Sequence, residues 1–268
     1  MEITTRPTAI RLMSAGEARV EVFATRAEAG LAAAIDVGQA IAASQREAGI
    51  ARVVFAAAPS QDEFLAALVG QPAIDWSRVL AYHMDEYLGL GPDHPASFRR
   101  YLREHLFDRC GIGRDQIRLI PGESTGSPLR VCLDYEEALR RDPPDIVCAG
   151  IGENGHLAFN DPPVADFLDA VWVKVVRLDE ACRAQQVNDD CFATIDDVPR
   201  HAYTLTVPAL LSAPLVAVVV PGHRKAEAIR MTIEGPISEA CPASSLRSHP
   251  GARLYLDRDS ACFLEPSL

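Results

Sequence analysis

Little in this sequence invites a metal, a membrane or a nucleic acid. Its seven cysteines, at positions 110, 132, 148, 182, 191, 241 and 262, are scattered and never form a C-x-x-C pair. That spacing excludes a zinc ribbon and argues against a disulfide framework. Reduced thiols in a cytoplasmic compartment are the expectation that follows. Positive charge is also short: 26 Lys and Arg against 37 Asp and Glu leave a net charge of −11. The basic footprint that a nucleic acid requires is therefore missing. A small anionic ligand remains compatible, since a few local cations override the global sign. The longest apolar runs, "LVAVVVP" and "ARVVFAAAP", fall far short of the roughly 20 residues of a bilayer span. The start, "MEITTRPTAIRLMSAGEARV", lacks the unbroken apolar core of a secretion signal. Neither internal repeat nor low-complexity tract interrupts the chain.

What is present is alternation. Of 268 residues, 48% are hydrophobic, enough for a large core without disulfides or metals. Short apolar runs, "ARVEVF" (18–23), "ARVVFAAA" (51–58), "SRVLAYHM" (77–84), "QIRLI" (116–120), "DIVCAG" (145–150), "AVWVKVV" (170–176), "PLVAVVVPG" (214–222) and "ARLYLD" (252–257), read as strands. Between them lie helical stretches over 26–47, 60–69, 97–107 (capped by Ser97), 133–141, 179–187 and 224–235. The expected fold is α/β: a doubly wound, mainly parallel sheet with helices on both faces, Rossmann-like, with 1–268 as a single domain. In such a sheet ligands sit outside the carboxyl ends of the strands. Loops at 58–60, 83–86, 150–163 and 221–223 are predicted to line one crevice.

Three of these loops carry candidate chemistry. In "AYHMDEYLGL" (81–90), Asp85 and Glu86 follow an apolar strand directly. They are either a partly buried general base, Asp85, with Glu86 beside it as a substrate contact, or an acidic surface turn. In "GIGENGHLAFNDPP", Gly152 gives backbone room and His156 lies between Asn154 and Asp161. A proton shuttle oriented by a polar neighbour and a histidine that merely ties the loop are both open. Gly150, Gly152 and Gly155 fit a loose G-x-G-x-x-G, but no helix start or acid-ended strand follows. A nicotinamide site is rejected on that ground. In "AAAPSQDEF" (56–64), Ser60 and Glu63 have capping-box spacing, and Ser60 is also a candidate phosphate donor at a helix start. Arg183 and Lys225 are the candidate cations; Lys225 falls at a helix start, where a cation opposes the macrodipole unless it faces an anion.

Together, "YHMDEYLGLGPDHPASF" and "GIGENGHLAFNDPP", with "LDEACRAQQVNDDCF", "HAYTLTVPALL" and "PGHRKAEAI", resemble the glucosamine-6-phosphate deaminase/isomerase family, which shares its fold with 6-phosphogluconolactonase. The resemblance implies aldose–ketose rearrangement of an amino sugar phosphate with loss of ammonia, without metal or cofactor. On it, Asp85 moves a proton between carbons 2 and 1, His156 assists ring opening, and Asp161 stands where the family more usually carries glutamate. Asn154 matches members with asparagine at its place. The resemblance leaves monomer and homo-oligomer equally open. The loop at 57–61, Ala-Ala-Pro-Ser-Gln, departs from the family's glycine-rich phosphate loop and leaves Ser60 as its remaining donor. Two rivals follow from the same residues: a lactonase using His156 as base, and a non-catalytic sugar-phosphate sensor.

Overall fold

The computed structural model describes residues 5–123 and 126–265. The chain begins with the hairpin β1 (Arg11–Ala15) and β2 (Ala18–Phe23), then α1 (Arg26–Ala48), β3 (Ala51–Phe55), α2 (Asp62–Val69), β4 (Val79–His83) and β5 (Asp85–Tyr87). Helix α3 (Phe98–Leu102) runs through a wide π turn (Arg103–Phe107) into α4 (Asp108–Cys110). There follow β6 (Ile117–Arg118), α5 (Pro128–Arg141), β7 (Ile146–Ala149), β8 (Val173–Arg177) and α6 (Glu180–Asn188). The last elements are β9 (His201–Leu205), α7 (Val207–Leu210), β10 (Leu215–Val220), α8 (Ala226–Glu234) and β11 (Ala252–Asp257).

Eight strands form the main sheet in the order β1-β2-β11-β10-β7-β3-β4-β6. Only the β1–β2 pair is antiparallel. The central strands are buried almost from end to end, which is why their sequences are continuous apolar runs rather than alternating ones. Val53 and Phe55 of β3 join a core with α1 and α2, whereas Val54 joins the opposite core with α5 and α8. The expected two-faced, mainly parallel sheet is thus the observed one. From β3 the chain winds outward through β4 and β6 and then returns to β7 on the other side of β3. That reversal leaves a crevice at the carboxyl ends of β3 and β7.

Three local expectations are corrected. The strand expected at 170–176 forms as β8 but joins a separate three-stranded antiparallel sheet, β5-β9-β8. Ser60 and Glu63 make no capping box: the residue before α2 is Gln61, and no side chain caps that helix. Glu63 instead pairs with Arg26 of α1 at 2.5 Å. Ser97 does precede α3, yet its hydroxyl does not cap it; it donates to Glu86 Oε2 at 2.7 Å.

The cap of α3 comes from Glu86 itself. Its carboxylate accepts from the backbone amides of Phe98 (3.3 Å) and Arg99 (3.2 Å) and from Arg99 Nε (3.1 Å). It also takes the amide of Tyr87 at 2.9 Å. An anion at a helix start is favoured by the orphan amides and the macrodipole together, and here Arg99 neutralises it. Glu86, expected among the substrate contacts, is fully buried in this role. Removing one partner of a buried charged pair costs about 3–5 kcal/mol. Glu86→Ala is therefore expected to lower unfolding stability by about that amount, read as a fall in the urea midpoint.

Candidate active site

The carboxyl ends of β3, β4 and β7 open on one cleft, as the loop positions predict; after β10 it is Lys225 and not the expected 221–223 that lines it. Its wall includes Ala56 to Gln61, Met84, Asp85, Gly150 to Gly152, His156 and Lys225. The aromatic pair Phe98 and Phe159, stacked with ring centroids 5.7 Å apart, forms an apolar side.

Asp85 is where the chain leaves β4 and enters the small sheet, paired with Thr204 of β9. A bond from Leu205 N to Met84 O, 2.7 Å long, pins the step between the sheets. The Asp85 side chain is buried to 7% exposure and accepts no hydrogen bond from a described residue. Burial, and then the charge of Glu86, push its pKa well above the ordinary carboxylate value. A carboxylate without partners that still lines a cleft has the character of a base rather than of a structural anchor.

His156 is held on one side only. Its Nδ1 lies 2.7 Å from Asn154 Oδ1 and 3.0 Å from Asp161 Oδ1, and Asn154 Nδ2 donates to the same Asp161 oxygen at 3.1 Å. Two acceptors at Nδ1 assign the proton to that nitrogen, leaving Nε2 with a free lone pair. No described residue bonds Nε2, and the ring lines the cleft. The carboxylate reaching the imidazole is therefore Asp161 and not Glu153; its shorter side chain suffices. Burial alone would raise the Asp161 pKa, but hydrogen bonds and charge from His156, with the Asn154 amide, hold it below the usual value.

Gly152 matters for a steric reason. A Cβ added there would fall 2.1–2.4 Å from atoms of the His156 ring. The imidazole lies directly on the glycine, so no other residue fits beneath it.

Lys225 ends the turn after β10 and is 8% exposed. Its ammonium makes no hydrogen bond or ion pair within the described residues. Burial lowers its pKa, against the opposing charges of Asp189 and Glu153. A buried cation without a partner at a cleft wall is suited to an anionic ligand. The 56–61 loop is closed by a side chain instead of by glycines. Gln61 Nε2 donates to Ser60 Oγ and to Val219 O, each at 3.1 Å, and Tyr101 donates to Ala58 O at 2.7 Å.

Arg183 is not part of this assembly. Its guanidinium donates to the carbonyls of Ile195 and Val198 and closes the loop after α6. Its Nε is buried with no hydrogen-bond partner among the described residues. From the same helix, and from the loop that follows it, come cleft residues that the pattern did not single out: Gln185 and Gln186, then Asp189 and Cys191. Gln185 accepts from the Glu153 amide at 2.9 Å, and Gln186 accepts from the Tyr87 hydroxyl at 2.6 Å. Consecutive glutamines on a polar helix leave no periodic signal; only their long-range partners mark them.

The family model for glucosamine-6-phosphate isomerases/6-phosphogluconolactonase matches residues 24–255. A glucosamine-6-phosphate deaminase of Exiguobacterium sp. is 36% identical over 198 residues, 74% of this chain and 75% of that protein. One from Listeria monocytogenes is 35% identical over 205 residues, covering 76% and 84%. A solved monomeric glucosamine-6-phosphate deaminase superposes with a TM-score of 0.83 at 29% identity, over 91% of this chain and 98% of its own. The 6-phosphogluconolactonase of Trypanosoma brucei reaches a TM-score of 0.74 at 18% identity, over 95% and 100%, a likeness of fold alone.

Gly152→Ala is expected to expel the imidazole from its seat, and the His156 Nδ1 proton resonance should lose its hydrogen-bonded shift. An unchanged imidazole spectrum would show that the ring has room that the geometry denies.

Proposed function

The chain belongs to the glucosamine-6-phosphate isomerase/6-phosphogluconolactonase family, and from that premise we propose that its cleft converts glucosamine-6-phosphate to fructose-6-phosphate and ammonia. The observation that carries the reading is the partnerless Asp85 carboxylate on the same cleft as the free Nε2 of His156. A lactonase needs a base for water but nothing to move a carbon-bound proton, so Asp85 favours the isomerase chemistry.

In this scheme His156 Nε2 takes the proton of the anomeric hydroxyl and returns it to the ring oxygen, opening the sugar. Asp161 and Asn154 hold the imidazole, and the Asp161 charge stabilises the transient imidazolium. Asp85 then removes the proton at carbon 2 and delivers it to carbon 1. A proton of the substrate ammonium passes to oxygen 1, so aldehyde and amine become hydroxyl and ketimine. Water adds at carbon 2 and ammonia leaves. Every step is proton transfer or addition, within reach of these side chains alone. The phosphate is assigned to Lys225, with Ser60 beside it, and Gly152 provides the floor under His156. On this reading residues 1–268 act as one domain. No helix among the described residues is long and apolar enough to cross a membrane, and the enzyme is placed in the cytoplasm with its phosphorylated substrate.

Asp85→Asn is expected to abolish exchange of the carbon-2 proton with solvent deuterium while glucosamine-6-phosphate still binds. Exchange at the normal rate would remove Asp85 from the mechanism. Because the base must be deprotonated and its pKa is raised, kcat/KM should fall as pH drops, with a midpoint above the ordinary carboxylate value of about 4. Lys225→Met should raise KM about 10–100-fold, the worth of a charged hydrogen bond. An unchanged KM would place the phosphate elsewhere.

A further inference from the structure

No metal-ligand spacing is visible in the sequence, yet folding gathers three ligand types behind the cleft. His156, Asp161 and Cys182 are all buried, and their ligating atoms lie within 4.8 Å of one another. The first two come from the loop after β7 and the third from the first turn of α6. Asp161 Oδ2 is buried and has no nitrogen or oxygen partner among the described residues; the Cys182 thiol is the group that interacts with this carboxylate. Asn154 Oδ1, 2.7 Å from His156 Nδ1, offers a fourth, neutral oxygen.

We propose that this cluster captures a thiophilic divalent cation of the zinc type, and that capture switches off the cleft by reversing the tautomer of His156. A tetrahedral zinc ion takes nitrogen and oxygen at about 2.0–2.2 Å and sulfur at about 2.3 Å, which sets neighbouring donors roughly 3.3–3.7 Å apart. His156 Nδ1 and Asp161 Oδ1 are already 3.0 Å apart, so they need to separate only slightly while the thiol swings in. Cations such as magnesium, which favour all-oxygen shells, gain nothing from this set.

Proton accounting links binding to inhibition. When Nδ1 gives its lone pair to the ion, the imidazole proton must sit on Nε2, the nitrogen facing the cleft. That nitrogen then donates and can no longer take a proton from a ligand. The thiol proton goes to solvent, so a single proton is released per ion and no redox change occurs.

The test is a cadmium titration of the full chain, following the ultraviolet thiolate-to-cadmium band, beside the same titration of Cys182→Ser. Other cysteines contribute to the band, so the difference between the two proteins isolates this site. The wild type is expected to take up one further equivalent, releasing a proton, and the variant to bind it at least tenfold more weakly. Equal uptake and equal proton release overturn the proposal. Cys182→Ala substitutes if the serine variant fails to fold, judged by circular dichroism. This measurement needs no substrate, so it stands apart from the deaminase assignment. In a deaminase assay, the cadmium concentration for half inhibition should rise at least tenfold in the variant, each protein scaled to its own metal-free rate. Equal sensitivity would also overturn it.

Discussion

The buried Glu86 carboxylate is the constraint on which the rest depends. It caps α3 through two backbone amides, pairs with Arg99 and accepts from Ser97 and Tyr87. Those contacts tie β5 to α3 and fix the backbone one residue after Asp85. The Asp85 carboxylate thus stands on a framework satisfied without it. Glu86 holds these donors, while the Asp85 side chain accepts from none of the described residues. The Glu86 charge also disfavours a second ionised carboxylate beside it, which helps keep the Asp85 pKa high.

Two aspartates in one site are driven in opposite directions. Asp85 has burial and a like charge and no hydrogen bond, so its pKa is pushed up. Asp161, just as deeply placed, has an imidazole and an amide and stays ionised. Environments that separate the pKa values of like groups divide their labour. One aspartate is prepared to exchange a proton and the other to hold a charge still. The residue types are the same; the donors around them decide.

Much of this was legible in the chain. Parallel strands are continuous apolar runs, so β3, β4, β7 and β10 could be found, and the loops after them follow from the rule that ligands sit at carboxyl ends. Asp85, His156 and Lys225 were visible because polar residues at those ends stand out against apolar flanks. The small sheet was not legible: β5 is three residues long, and its pairing with β9 spans more than a hundred positions. Glu86 and Arg183 have backbone partners that the sequence did not show, for one reason. A charge in a loop looks alike whether it faces a ligand or satisfies backbone groups, and only long-range partners such as the Phe98 amide or the Val198 carbonyl distinguish the two. Cys182 was hidden similarly, since α6 reaches Asp161 only through the tertiary fold.

The seat of the His156 ring on Gly152 has one further consequence. With Nδ1 clasped by Asn154 and Asp161 and the ring face against backbone, the imidazole has a single working nitrogen. It is a cul-de-sac for hydrogen and not a corridor. A proton taken from the cleft cannot leave through the far side, because Asp161 is held in its ionised form. It must go back to the molecule it came from. Under the proposed chemistry, ring opening would then be a closed loop that returns the imidazole to its starting state.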